Sequence, residues 1–413
     1  MSTVAAPRLP SRAKPRSRAR PVARRTATGT ARQGTPARTR TAERASTPST
    51  AMLLALTIGV LNLVGVVMVL SASSVASLTD YGSPWYFFGR QVLWSILGVG
   101  AFVVAVRIQY HSLRRFVRPL LIVSGVLLVV VLIPGVSVYV AGSRRWIGAG
   151  AFRFQPTELA KLAMLIFGAD LASRRASEIG DLRRVVRPIV VVLGAFGFLM
   201  LREPDLGSAL VLALIAGTIL VAAGTRPKHL ATIGFLSTST IALLVIGEPY
   251  RRARLMTFLH PFADQANTGY QISQSLIAIG SGGWTGVGLG AGRAKWNFLP
   301  NAHTDFIFAI IGEELGLIGC LAVMALFLAF ATLGIRTALR APDRFGALLA
   351  AGITMGIVGQ AVINIGAVVG MLPITGIPLP FVSFGGTALV TTMFSAGILA
   401  NIARQTQNGG RVR

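Results

Sequence analysis

Ten apolar runs, each near the roughly 20 residues that an α-helix needs to cross a bilayer, divide the chain after its first 50 residues. They fall at 52–72, 91–106, 119–140, 157–172, 186–201, 207–223, 229–247, 306–333, 345–371 and 385–403. Lipid offers no partners to a backbone N–H or C=O, so such runs fold as helices that pair their own polar groups. The fold class is therefore an all-α polytopic membrane protein with about ten transmembrane helices. Composition agrees: 53% of residues are hydrophobic, 13% are charged and mean hydropathy is +0.65. The runs at 157–172 and 186–201 are short and would tilt, start late or be partly re-entrant.

Arginine and lysine collect on the cytoplasmic side of membrane helices. With the amino terminus inside, the inner segments hold Arg114, Arg115, Arg174, Arg175, Arg183, Arg184, Arg226, Lys228, Arg336 and Arg340. Both termini are then cytoplasmic. The connection from Glu248 to Asp305, between the seventh and eighth helices, becomes a long external loop and a candidate for function. The net charge of +26 follows this topology and the tail, and does not indicate nucleic-acid binding. Residues 1–50 are rich in Arg, Pro, Thr, Ser and Ala and cannot bury a core, so they read as a disordered basic cytoplasmic tail. Residues 51–404 form the transmembrane domain, and 405–413 a short cytoplasmic tail. Cys320 is the only cysteine and four histidines show no ligand spacing, which excludes a disulfide framework and a zinc enzyme.

The Gly-rich segment 280–292 fits neither G-x-G-x-x-G nor G-x-x-x-x-G-K-[ST], so no nucleotide or organic cofactor is expected. Its glycines suit close backbone packing, or a loop that bends around an extended substrate. Residues 270–279 have helical apolar spacing and read as an interfacial amphipathic helix.

Asp305 stands where this polar loop meets the eighth apolar run, and a charge at a membrane boundary usually has a function. As the helix N-cap, with Thr304, it would also satisfy free backbone N–H groups. Three further constellations belong to the same side. Arg144, Arg145 and Arg153 lie outside against the positive-inside trend, suiting either diphosphate recognition or head-group contact. Glu158 and Lys161 are three apart and share a helix face after Pro156, as a cavity pair or a packing pair. Glu203 and Asp205 flank Pro204 in a tight turn that suits a helix start. The proline-laden segment 373–386, which contains Ser383, cannot be regular helix and should line protein or a cavity. Deeper in the eighth helix, Glu313 and Glu314 need partners or a watery cavity.

These blocks together resemble the SEDS family of bacterial membrane proteins over roughly residues 52–404. The resemblance is carried by Arg144-Arg-Trp-Ile, Phe154-Gln-Pro-Thr-Glu-Leu-Ala-Lys161, Glu203-Pro-Asp-Leu-Gly207, Gly269-Tyr-Gln-Ile-Ser-Gln-Ser, Ala302-His-Thr-Asp-Phe-Ile-Phe308, Gly312-Glu-Glu-Leu-Gly316 and Pro378-Leu-Pro-Phe-Val-Ser-Phe-Gly-Gly386. Segment 293–300 and Gly312 favour the cell-division branch over the elongation branch. The resemblance implies a peptidoglycan glycosyltransferase that polymerises lipid II, an undecaprenyl-diphosphate-linked disaccharide-pentapeptide, outside the membrane. Asp305 matches the family's essential loop aspartate, acting as general base or as ligand of a divalent cation, Mg or Mn. Arg144, Arg145, Arg153, Glu158, Lys161, His303 and Ser383 become substrate-binding candidates, and Glu203, Asp205, Glu313 and Glu314 structural or cavity residues. Asn301 stands where the family commonly has Glu, which weakens a cation role there, and Phe384 where it has Tyr.

The implied partners are a class B penicillin-binding protein, the FtsI-like transpeptidase, and other divisome membrane proteins. A RodA-like elongation polymerase and a lipid II flippase remain alternatives, since intramembrane acids and a broken segment also suit a transporter.

Overall fold

The structure is a computed structural model that describes residues 49–140, 143–149, 152–178, 181–247, 249–260, 262, 269–296 and 298–409. The expected basic tail lies outside these residues except for Ser49 and Thr50, where the first helix begins. The helices are α1 (Thr50–Tyr81), α2 (Tyr86–Arg107), α3 (Val117–Val130), α4 (Pro156–Arg174), α5 (Arg187–Arg202), α6 (Leu206–Ala223), α7 (Pro227–Gly247), α8 (Pro249–Leu259), α9 (Tyr270–Gly282), α10 (Ile307–Arg340), α11 (Arg344–Val368) and α12 (Gly386–Gly409). Every one of the ten apolar runs overlaps one of these helices.

Among the described residues, seven helical segments are long and apolar enough to span a membrane: α1, α2, α5 with its preceding π-turn, α6, α10, α11 and α12. Two of the remaining runs have visible reasons to fall short. Helix α3 has 14 residues, and α4 carries Glu158, Lys161, Asp170 and Arg174. The spanning helices are apolar on every face, as lipid-bathed helices are. On α1, Leu54, Ile58, Leu61 and Met68 are buried, while Met52, Leu56, Leu63 and Val67 face outward.

One expected boundary is corrected. The third run does not stay helical to residue 140: Pro134 and Gly135, the latter at φ 93°, end it. The chain then enters a three-stranded antiparallel sheet, β1 (Ser137–Val140), β2 (Ser143–Ala149) and β3 (Phe152–Phe154). Valine-rich backbone after a turn pairs as readily with a strand as with itself. At the other end, α12 stays helical to Gly409, so the first residues of the expected C-terminal tail continue that helix.

The long connection between α7 and α10 is not a bare loop. It contains α8 and α9, and α9 packs against α10 and α11 rather than lying free: Ile272, Ser275 and Ala278 are buried and Ser275 Oγ donates to Val368 O at 2.8 Å. The glycine segment then plugs a break in α10. Gly316 has φ 68° and ψ −165°, which opens the ladder bonds that Leu317 and Ile318 would make to the Glu313 and Glu314 carbonyls. Leu317 N and Ile318 N donate instead to Gly283 O and Trp284 O, at 2.9 and 3.2 Å. Val287 N and Gly288 N donate to Glu313 O and Glu314 O, at 3.0 and 3.1 Å. Both freed donors and both freed acceptors are thereby satisfied, as buried backbone requires.

That insertion explains the glycines. A Cβ on Gly286, itself at φ 80°, would lie 2.2 Å from Glu314 O, and one on Gly282 would lie 1.9 Å from Gly312 O. Gly286→Ala is expected to eject the plug and expose four backbone groups, each worth about 0.5–1.5 kcal/mol when paired. A lower melting temperature in detergent, with a change in fluorescence of the neighbouring Trp284, checks this.

Candidate active site

The helix ladder of α10 starts late, which leaves Asp305 on a short irregular segment. Phe306 occupies the N-cap without a side-chain bond, so neither Thr304 nor Asp305 caps the helix. Thr304 Oγ1 instead donates to Asn301 O at 3.1 Å, and Asn301 sits at φ 57°. The carbonyls of residues 303, 304 and 305 lie upstream of the ladder, and each is gripped by another element. Phe384 N donates to His303 O at 2.9 Å. Ser383 Oγ donates to Thr304 O at 2.5 Å while accepting from Leu379 N at 2.8 Å. Asn364 Nδ2 donates to Asp305 O and to Ile377 O, both at 2.8 Å. The segment between α11 and α12 is irregular and largely buried; it bonds directly to the carbonyls of residues 303 and 304, and Asn364 of α11 joins it to that of Asp305 through Ile377 O.

The Asp305 carboxylate is partly exposed and makes no side-chain hydrogen bond among the described residues. Its surroundings are protein rather than bulk water, and this desolvation raises its pKa from the ordinary carboxylate range to about 6. Arg145 and Arg254 pull the other way, and Asp205 adds to the rise. Asp305 Oδ2 and Arg145 Nη1 lie 3.6 and 3.9 Å from where a Cβ on Gly376 would stand, so Gly376 leaves the space that the two charged groups face.

Arg145 comes from β2 and binds the turn between α5 and α6. Its Nε donates to Glu203 O at 3.2 Å, its Nη2 donates to Pro204 O, and its Nη1 stands 3.9 Å from Asp205 Oδ1. Asp205 caps α6 through Ser208 N at 3.1 Å and accepts from Gln155 Nε2 at 3.3 Å. Glu203 is buried, and neither carboxyl oxygen has a hydrogen-bond partner among the described residues. Burial, reinforced by Asp205 and opposed by Arg145, pushes its pKa to about 9, so it is neutral at physiological pH.

Several sequence candidates lie elsewhere. Glu158 and Lys161 form a buried ion pair at 2.8 Å on α4. Lys161 Nζ also donates to Gln360 Oε1 at 2.9 Å, and Glu158 accepts from Thr391. This pair edges a cavity of about 50 Å³ between α4, α6, α11 and α12. Arg153 lies in β3 with its Nε buried and without a hydrogen-bond partner among the described residues, and it is not among the charges acting on Asp305. Arg144 lies in β2, and its side chain is outside the described residues. The His303 ring packs at a tilt against Phe87 and Phe384, with centroids 4.4 and 5.7 Å away. Burial lowers its pKa to about 4, against a smaller opposing effect of Asp80, so it is uncharged at neutral pH. Glu313 and Glu314 are buried in structural contacts: Glu313 accepts from Arg293 N and Ala294 N, and Glu314 pairs with Lys295 at 2.9 Å.

Three residues near Asp305 were not singled out from the sequence: Arg254 on α8, and Gln360 and Asn364 on α11. The signal for the last two was present, as amides one turn apart in an otherwise apolar helix. Among the described residues no three of His, Cys, Asp and Glu come together as a metal cage requires. Magnesium is often held by one or two carboxylates with substrate phosphates. The site suits only that arrangement, with Asp305 as protein ligand.

A groove of about 720 Å³ opens between α5, α6 and α7. Leu193, Phe198, Leu206, Leu236 and Leu243 line it, with Arg202 beside the Glu203–Asp205 turn that holds Arg145.

Residues 51–408 match the family described as "Cell cycle protein", FtsW/RodA/SpoVE. The chain is 42% identical over 339 residues to a Geobacter metallireducens protein named "Probable peptidoglycan glycosyltransferase FtsW", covering 82% of this chain and 90% of that one. Its fold matches a chain of a solved peptidoglycan synthase complex that coordinates polymerization and crosslinking, with a TM-score of 0.70, 26% identity, and coverage of 86% and 97%. It also matches the rod shape determining protein RodA of Thermus thermophilus, with a TM-score of 0.62, 25% identity, and coverage of 85% and 96%.

Proposed function

Since the chain belongs to the FtsW/RodA/SpoVE family of cell cycle proteins, the family its sequence blocks resemble, we propose that it is a peptidoglycan glycosyltransferase that polymerises lipid II during cell division. The observation that carries this reading is Asp305: a partly exposed carboxylate with its pKa raised to about 6, held by its backbone and flanked by Arg145 and Arg254. A general base works best with a pKa near the operating pH. The two guanidiniums suit a diphosphate.

Asp305 takes the proton from the 4-hydroxyl of the acceptor GlcNAc. The oxygen attacks the anomeric carbon of the donor, the new C–O bond forms with inversion, and the bond to undecaprenyl diphosphate breaks. Arg145 and Arg254 stabilise the charge that develops on the departing diphosphate. The α5–α7 groove, apolar along its length with Arg202 at the end near the site, suits the polyprenyl tail. A divalent cation bound by Asp305 and the diphosphate would add positive charge at the leaving group. This end of the bundle is external in the reading, with both termini cytoplasmic and the protein at the septum beside a class B penicillin-binding protein.

The test is to purify the chain with that partner and supply labelled lipid II. A ladder of glycan polymer on a gel is expected. Absence of polymer, with lipid II crossing proteoliposome bilayers, would replace the reading with the transporter one.

The acidic limb of the rate profile is expected near pH 6, because the base must be ionised. Arg145→Gln removes a cause that lowers the Asp305 pKa, so it should move the limb to higher pH as well as slow turnover. Asp205→Asn removes a cause that raises it and should move the limb to lower pH. Rates measured from pH 5 to pH 8 check both signs.

A further inference from the structure

We infer that Asn364 is a positioning residue for Asp305, its carboxamide holding the Asp305 and Ile377 carbonyls together and so aiming the carboxylate at the space between Arg145 and Arg254; this rests on Asp305 being the base. Three observations support it.

The first is the direction of the amide. Both partners of Asn364 are carbonyl oxygens, which only accept, so the group facing them is the NH2 and each of its hydrogens is used. Asn364 is 2% exposed, and its Oδ1 has no hydrogen-bond partner among the described residues, so the two N–H bonds are the polar contacts that place this side chain.

The second is the freedom that the contact removes. The Asp305 carboxylate makes no hydrogen bond among the described residues, so its placement depends on its own main chain. Asp305 O lies upstream of the α10 ladder, which begins with Ala309 N donating to Phe306 O. Asn364 therefore supplies the constraint that a helix would otherwise give.

The third is the continuity of the support. One turn earlier on α11, Gln360 Nε2 donates to Pro378 O at 2.9 Å, next to the Ile377 carbonyl held by Asn364. Gln360 Oε1 accepts from Lys161, whose ion pair with Glu158 is buried. The two amides form a ladder along α11 that fixes residues 377–378 from below and Asp305 beside them. Lys161 thus acts through Gln360 on the same segment, at a distance from the leaving diphosphate.

The experiment is lipid II polymerisation by the full-length chain with its class B partner, comparing wild type, Asp305→Asn, Asn364→Leu and Asn364→Asp, with rates taken from pH 5 to pH 8. A misplacement of about 1 Å at a reacting group costs on the order of 100-fold. We expect kcat to fall by about 10–100-fold in both Asn364 variants, with KM within about threefold. In Asn364→Leu, which adds no charge, the acidic limb should move above pH 6 as the carboxylate leaves the two guanidiniums, although Asn364 does not touch that carboxylate. Unchanged kcat, or a loss of rate that tracks folded protein with the limb unmoved, would overturn the inference. So would failure of both variants to fold, because the amide would then hold the bundle rather than aim one side chain. An active Asp305→Asn variant would instead remove the catalytic reading itself.

Discussion

Asp305→Asn is expected to lower the rate of lipid II polymerisation by about 10²–10⁴-fold, the usual contribution of a positioned general base, with folded protein at the wild-type level. The two halves of this expectation have separate causes. The carboxylate makes no side-chain hydrogen bond among the described residues, whereas the main chain around it is held at His303 O, Thr304 O and Asp305 O. The substitution removes the proton acceptor and leaves those three anchors in place. Polymer on a gel reports the first half, and the melting temperature in detergent the second.

The sign of the stability effect follows from the same group. Its folded pKa of about 6 lies above the ordinary 3.8, so the folded state binds the proton more tightly than the unfolded chain does. The stabilisation this gives is fully present below pH 3.8 and is lost as pH rises through about 6. Above that pH the wild type keeps a charge in a desolvated place. The Asn variant carries none, so it should melt no lower than wild type at pH 7.5. Loss of activity without loss of stability is the pattern of a residue kept for chemistry.

The helices were legible because span length is set by bilayer thickness, and each apolar run overlaps a helix. The Glu158–Lys161 pair followed from spacing alone, since residues three apart share a helix face. The β1–β3 sheet was not legible: residues 136–140 are as apolar as the helix before them, and length rules do not separate a strand from the tail of a span. The glycine segment pointed correctly to close backbone packing, yet its partner was hidden. The break at Gly316 and the plug at Gly283–Gly288 satisfy each other across two elements, and neither is readable alone. Arg254 was obscured for a similar reason. In the sequence it belongs to a short basic cluster in a long connection, and only the fold of α8 brings it near Asp305.

Lys295→Met is expected to destabilise the protein by about 3–5 kcal/mol, the cost of leaving a buried charge without its partner. Lys295 and Glu314 are 4% and 0% exposed in their side chains and 2.9 Å apart. The ammonium has three donors, and all three are used: on Glu314 Oε1, on Gly290 O at 2.6 Å and on Ser71 Oγ at 3.1 Å. Ser71 donates in turn to the Glu314 carboxylate at 2.7 Å. One side chain thus ties the connection after the glycine plug to α10 and to α1, and its loss strands Glu314 beside a break in its own helix. Because most of the penalty is the orphaned charge, Lys295→Met with Glu314→Leu should recover much of it, as apolar replacements of buried pairs often do. The melting temperatures of the two single variants and the double variant, taken as a cycle, measure the coupling. The acidic limb near pH 6 should stay in place in whatever protein remains folded, since neither residue acts on Asp305. A single variant as stable as wild type would mean that the connection between α9 and α10 is held by its backbone plug alone.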